Sequence, residues 1–421
     1  MSQAPGGRRV VVTGLGAVTP LGTDAPTFWR ALVEGRSGVG RIRAFDPSAI
    51  DSRIAGEIPD FDPATVLDRK EVRRNDRCTQ IALAATREAM EDAGLPGRLE
   101  GRPAEDTGMI IASGLGGTGT LIEQIITWRT RGPGRVSPFF IPMAIANMPS
   151  GQGAISFGAL GPNFSTTSAC ASSGHAIGEA SEMILRGDAE MMIAGGCEAP
   201  VHEATLAAFA AMRALSTRNE DPEGASRPFD AGRDGFVVAE GAASLVLEEL
   251  GHALERGARI YAEVCGYAAT ADGHHITTPA PGGVGAVRAA RRALAKAGLG
   301  PDAIDLVSAH ATSTPEGDPA ELLAINAVVG EHASSVSVTA TKSSIGHTLG
   351  AAGAVAAVAA IMAMREGVVP PTLNLVAPDG AAGALDLTPL VARRRPLGVA
   401  LVNAFGFGGQ NAAFLLRRWE A

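Results

Sequence analysis

Cys170 lies in a run of small residues, Gly161 to His175, just ahead of a helical pattern over residues 176 to 185. A cysteine at such a junction sits over the first N–H groups of a helix. The helix dipole there favours thiolate over thiol and is expected to lower the pKa. The same N–H groups can hold the oxyanion that forms when sulfur attacks a carbonyl. A lone cysteine is more often a buried, inert one, so its meaning depends on partners. The sequence offers three. His310 follows the apolar strand pattern Ile304–Ser308 and opens a hydroxyl-rich loop ending at Asp318. Lys342 and His347 follow a second strand pattern, Val336–Thr341, and precede an Ala-rich apolar segment. A lysine and a histidine at the entry of a buried helix are costly unless paired or used. Together these residues suggest a thiol nucleophile served by two imidazoles. The glycine-rich turn Asn403 to Asn411 adds backbone that can approach a substrate closely.

The elements that must position these groups echo each other. Residues 84–95 and 288–299 are both helical patterns ending Ala-Gly-Leu, with the glycine placed as a cap. Each is followed by an apolar strand, Thr107–Ala112 or Ile304–Ser308. Each then meets a second strand leading to an Ala/Gly-rich helix, Phe164–Cys170 in one case and Val336–Lys342 in the other. This predicts a duplicated α/β unit with mostly parallel strands covered by helices. The boundary falls near 255 to 262, just before a strand at Ile260–Val264, giving halves 1–258 and 259–421. Residues 115–150 and 200–235 read as loop-rich insertions capping the first half.

Composition narrows the field. The net charge is −8 over 421 residues, which argues against nucleic-acid binding but not against an acidic partner on a local basic patch. Cys78, Cys170, Cys197 and Cys265 are far apart and lack metal spacing, so no metal site and no disulfide framework is expected. The first residues run into a strand without an apolar leader, so a cytoplasmic protein is expected. Residues 348–364 are uncharged and apolar, but read as a buried core helix rather than a membrane span. The turn Gly114–Gly119 fits a dinucleotide-type glycine pattern. No acid follows between Glu123 and Glu179, so nucleotide binding is dropped.

The motifs around Cys170, His310–Pro315 and Thr341–Gly353, with Val10–Gly22 and Phe405–Gly409, resemble those of the β-ketoacyl-[acyl-carrier-protein] synthases. These are condensing enzymes, and the likeness is to the synthase II type. The resemblance covers nearly the whole chain, about residues 8–418. It implies a thiolase fold, an α/β architecture of duplicated βαβαβαββ halves in five αβαβα layers. It implies an acyltransferase that extends an acyl chain by two carbons through decarboxylative Claisen condensation with malonyl-carrier protein. Cys170 would accept the acyl group. His310 and His347 would assist decarboxylation and stabilise the carbanion. Lys342 would orient them and support Cys170. Glu321, one turn past Asp318, matches an acid bonded to the lysine network. Phe407 matches a gating residue whose N–H joins that of Cys170 in the oxyanion hole. Thr312 and Thr314 match threonines that bond the pantetheine arm.

The resemblance implies no cofactor beyond the phosphopantetheine carried by the partner, acyl carrier protein. It implies a homodimer, or a heterodimer with a chain-length-factor paralogue. The rival reading is the catalytic ketosynthase subunit of a type II polyketide synthase. A degradative thiolase would need a second cysteine on the C-terminal glycine loop, and residues 403–411 hold none. Two departures stand out: Ala311 replaces the family's usual glycine, and Gln410 its usual threonine. Leu115, Met143 and Phe407 are candidate walls of the acyl pocket. Lys70, Arg73, Arg74 and Arg77 share one face if Arg69–Arg77 is a single helix, offering a docking patch for the acidic carrier. Arg213, or Arg129, Arg131 and Arg135, could serve instead.

Overall fold

A computed structural model describes residues 7–420. The expectation about an N-terminal leader falls on residues 1–6 and lies outside them. In the first half the apolar run Val10–Val18 forms β1, every residue of it buried. Helix α1 (Arg77–Asp92) follows, capped by Asp76 at its start and by left-handed Gly94 after its end. Then come β2 (Thr107–Ala112), α2 (Ser172–Arg186), β3 (Met191–Glu198) and β4 (Gly241–Glu249). The second half runs β5 (Ala262–Ala271), α3 (Val284–Ala297), β6 (Leu306–Ser308), α4 (Gly317–Val329), β7 (Ser337–Thr339), α5 (Ala352–Glu366), β8 (Val399–Gly406) and β9 (Gln410–Arg418). The second half has the expected βαβαβαββ order; the first has four strands rather than five, because no strand separates helix Met148–Phe157 from α2.

The nine strands form one sheet in the order β2-β3-β4-β1-β5-β9-β8-β6-β7. Only Val11–Glu263 and Val12–Ala262 pair β1 with β5 across the junction of the halves. Helices α2 and α5 pack against strands of both halves and so lie between them. Helix α1 covers the outer face of β1 and β4, while α3 and α4 cover the other outer face. The result is five layers, helix–sheet–helix–sheet–helix. One core fills the middle, with Ala354, Ile361 and Phe414 among its members, and an outer core lies beneath each flanking helix layer.

Helix α5 is buried from Ala352 through Met364. A helix apolar all round belongs in a core, and its alanines let both sheets approach closely. The stretch Leu349–Glu366 is long and apolar enough to cross a membrane, yet 89% of it is buried inside the protein.

Four expectations differ from the structure. The strands are not mostly parallel: β2–β3, β6–β8 and β6–β7 pair parallel, and the other five pairings of the sheet are antiparallel, because the chain enters and leaves each half through neighbouring strands that reverse direction. No strand forms over Phe164–Cys170. Asn163 makes one bridge to Met109, after which Ser165 and Thr167 bond the carbonyls of Ile111 and Ser113 through their side chains. Hydroxyls that satisfy backbone groups in this way compete with ladder formation. The strand after the boundary begins at Ala262 rather than Ile260. The insertions are largely helical: Thr118–Arg131, Phe140–Ala144 and Glu203–Ala211 are helices. The first two pack against one another, and the second against helix Met148–Phe157. This group leaves Ile126, Trp128, Ile141 and Ile155 exposed.

Candidate active site

Cys170 sits on a tight turn at the mouth of α2. Ala169 is left-handed at φ 49°, a conformation costing a non-glycine residue roughly 1–3 kcal/mol. Ser172 holds the turn: its Oγ accepts from the N–H of Ser168 at 2.9 Å and donates to the carbonyl of Ala169 at 2.6 Å. Gly406, at the end of β8, packs against this turn. A Cβ there would collide with the Ser168 carbonyl and lie 3.3 Å from the Cys170 nitrogen. Glycine is therefore the residue that fits.

The expected lowering of the Cys170 pKa does not occur. Burial pushes the thiol up to about 12, against the opposing pull of the Lys342 charge. Desolvation of the anion outweighs the nearby positive groups.

The histidines arrive from the other half. His310 lies two residues beyond β6, and Lys342 and His347 follow β7. The imidazole centroids are 5.5 Å apart with the rings nearly perpendicular. Phe236 packs edge-on to His347, and Phe405 lies 5.6 Å from His310. Nδ1 of His310 and both ring nitrogens of His347 are buried without a hydrogen-bond partner among the described residues. Burial first, then the Lys342 charge, holds both pKa values well below the usual imidazole range, so both rings are neutral at pH 7. Lys342 itself is lowered to about 8 by burial. Its Nζ donates to the carbonyl of His310.

Glu321 holds the His310 loop by its backbone. Its carboxylate accepts from the N–H of His310 at 2.8 Å and of Ala311 at 2.6 Å, and from Asn403 Nδ2 at 3.0 Å. Glu321 joins the lysine network through His310, from whose N–H it accepts and whose carbonyl the Lys342 ammonium bonds; the two charges interact at longer range. Asp318 likewise accepts from the N–H groups of Phe229, Ser313 and Thr314, at 2.8, 3.0 and 3.3 Å. Ala311 sits at φ 25° and Ser313 at φ 68°. The added methyl of Ala311 is thus carried in a region that favours glycine, and the two carboxylates pin the loop on either side of it.

A cavity of about 560 Å³ joins these parts. Cys170, His310, His347, Thr312, Thr314 and Phe407 all line it, and the two threonine hydroxyls lie 3.1 Å apart. Leu115 and Arg213 line it too. Lys342, Asp318 and Met143 do not. The Met143 carbonyl packs against Gly117, two residues beyond Leu115. Among the lining residues not anticipated from sequence is Glu198, at the end of β3.

The basic run does not form one helix. Helix Arg69–Arg74 stops at Asn75, and Asp76 caps a new helix that starts at Arg77. Arg77 is committed to Glu240 through two bonds of 2.8 Å. Lys70, Arg73 and Arg74 remain exposed. Among the described residues, no group of three or more His, Cys, Asp or Glu side chains is placed to hold a metal ion.

The sequence matches the family model for the beta-ketoacyl synthase N-terminal domain over residues 7–253 and that for the C-terminal domain over 261–376. A 3-oxoacyl-[acyl-carrier-protein] synthase 2 from Synechocystis sp. is 48% identical over 413 residues, covering 98% of this chain and 99% of the relative. The solved ishigamide ketosynthase/chain length factor superposes with a TM-score of 0.90 at 32% identity, covering 98% of this chain and 100% of that one. A type II PKS acyl-carrier protein in complex with its ketosynthase, bound to the hexaketide, gives the same TM-score, identity and coverage.

Proposed function

The chain belongs to the β-ketoacyl synthase family, and from that premise we propose that it condenses a Cys170-bound acyl group with malonyl-carrier protein to give a β-ketoacyl chain two carbons longer. The observation that carries the reading is one cavity lined by a buried cysteine and two neutral, unpartnered imidazoles. In this reading Cys170 sulfur attacks the carrier thioester, and the thiol proton reaches the departing pantetheine sulfur through an imidazole. Malonyl-carrier protein follows. Its C–C bond to the carboxylate breaks, CO₂ leaves, and the electron pair forms an enolate. The two imidazoles donate to the enolate oxygen, where two fixed donors lower the barrier most. The enolate carbon attacks the acyl carbon and the bond to Cys170 breaks. The N–H groups of Cys170 and Phe407 hold the tetrahedral oxyanion. Thr312 and Thr314 bond the pantetheine arm, and Leu115 and Phe407 wall the acyl chain. Lys342 acts through His310, whose carbonyl it bonds, and through its charge beside Cys170. No cofactor enters these steps. Residues 1–258 and 259–421 act as one unit, since one supplies the thiol and the other both imidazoles.

Incubation with acyl-carrier protein and then malonyl-carrier protein tests the reaction. Intact mass should show an acyl adduct that is discharged as a ketoacyl product two carbons longer. Hydrolysis of the adduct without a longer product would overturn the reading. The 48% identity to a synthase 2, against 32% to the two polyketide systems, supports the synthase II type over the polyketide alternative.

The partners follow the same logic. Ile126, Trp128, Ile141 and Ile155, all exposed on one group of packed helices, support a second chain docked there, because clustered exposed apolar side chains mark association surfaces. A single-chain mass in analytical ultracentrifugation would contradict that. For the acidic carrier protein, Lys70, Arg73 and Arg74 supply exposed positive charge and Arg213 borders the cavity. Reversing Arg73 and Arg74 to Glu should raise KM for carrier-bound substrate by about 10-fold, lessened by salt. Small pantetheine thioesters should be spared. An equal loss with both substrates would assign the patch to the fold instead.

A further inference from the structure

Glu198 is the buried acid of this site that the proposed reaction leaves without a task. It ends β3 with no exposed surface and lines the same cavity as Cys170. Its carboxylate accepts four hydrogen bonds from two separate segments. Ser113 Oγ and the N–H groups of Gly114 and Leu115 donate at 2.8, 2.8 and 3.1 Å. The N–H of Gly350 donates at 3.0 Å from the turn Leu349–Ala351 that leads into α5. Ser113 Oγ also accepts from the N–H of Gly116 at 2.8 Å, so the whole glycine turn after β2 is organised around this one acid.

The glycines are needed for that approach. A Cβ on Gly114 would lie 2.9 Å from the carboxylate, and one on Gly350 would lie 2.6 Å from it. The turn that resembled a nucleotide loop is therefore a cradle for an internal carboxylate. Both segments it ties down carry cavity walls, Leu115 on one and Leu349 on the other. The turn bearing Cys170 packs beside them, with the Ala169 carbonyl 3.3 Å from the position a Gly114 Cβ would take.

We propose that Glu198 is a positioning residue of the condensing site: it fixes Leu115 and Leu349 against the Cys170 turn, and its negative charge opposes that of Lys342 at the sulfur. This deepens the condensing reading and rests on it. The titratable groups facing Cys170 are Glu198, Lys342, His310 and His347. Lys342 pulls the thiol pKa down and Glu198 pushes it up. Burial raises Glu198 itself to about 7, so its charge is switched within an accessible window. The histidines stay neutral throughout that window.

The test is alkylation of Cys170 by iodoacetamide, followed by peptide mass across pH in wild type and Glu198→Gln. At pH 6 wild-type Glu198 is mostly protonated, and the two rates should be similar. As pH rises to 8 its charge appears in the wild type alone and holds the thiol protonated. The variant should then react about 10-fold faster, the effect of one nearby charge. Glu198→Asp keeps the charge and should follow the wild-type profile. In condensation assays Glu198→Gln should lower kcat about 10-fold with KM for the carrier unchanged, because the walls and not the docking surface are loosened. A variant-to-wild-type ratio that does not change between pH 6 and 8 would overturn the inference.

Should Glu198→Gln not fold, Ser113→Ala removes one donor and keeps the acid. It should lower kcat for long acyl primers about threefold, and an unchanged kcat would overturn the inference equally. Failure of the condensing reading is distinct from either result, since it shows as a wild-type chain that takes no acyl group on Cys170.

Discussion

Replacing Cys170 with alanine should abolish the acyl adduct and lower condensation by on the order of a millionfold, as loss of a nucleophile does elsewhere. The fold should survive. The change removes one sulfur from a side chain already confined to a tight turn, and none of the hydrogen bonds holding that turn uses it. Intact mass after incubation with acyl-carrier protein decides the first point and thermal melting the second. Decarboxylation of malonyl-carrier protein should persist in this variant, because the imidazoles that receive the enolate are held by the other half of the chain. An adduct on Cys78, Cys197 or Cys265 would sink the assignment. All three are free thiols outside the cavity, and the pKa of each is raised.

His310→Ala and His347→Ala should each slow CO₂ release from malonyl-carrier protein by roughly 10²–10³-fold, the usual cost of one lost donor to a developing oxyanion. Acylation of Cys170 should fall less, since the N–H groups at the turn still face the thioester. Both rings are neutral at working pH, so they act as N–H donors rather than as cations. The decarboxylation rate should accordingly show no loss between pH 6 and 8 attributable to imidazolium deprotonation, because both imidazole pKa values lie well below that window. Measuring released CO₂ separately from acyl adduct tests the division. Normal decarboxylation in both variants would contradict it.

The duplicated architecture and the meeting of Cys170 with His310 and His347 were legible because each residue sits at the end of an apolar element. A repeat that places strand ends side by side brings those residues together. What was not legible depended on distance and burial. The thiol pKa was misjudged because a helix start is visible in sequence, whereas the depth of Cys170 is not. Glu198 did not stand out in the sequence, where nothing links it to glycines more than eighty residues earlier. Arg77 read as part of a basic helix face until Asp76 proved to be a cap and Glu240 a partner. Met143 read as a candidate wall, yet it is not among the residues that line the cavity. The absent strand at Phe164–Cys170 turned on hydroxyl side chains taking the bonds a ladder would have used.

The central helix layer has a consequence for how the chain is made. Helix α5 packs against β1, β3 and β4, yet those strands are complete at Glu249 and α5 ends only at Glu366. At about 5–20 residues per second, a ribosome exposes these strands for on the order of ten seconds before α5, the second of the two helices on their inner face, emerges. The part of that apolar face left uncovered by α2 must wait in water or on a holding chaperone for the whole interval. Few local contacts can close it early, since the joint between the halves is only two residue pairs wide. The same arrangement means that no reactive thiol is assembled with its imidazoles until synthesis is nearly finished, so the growing chain carries its nucleophile unarmed.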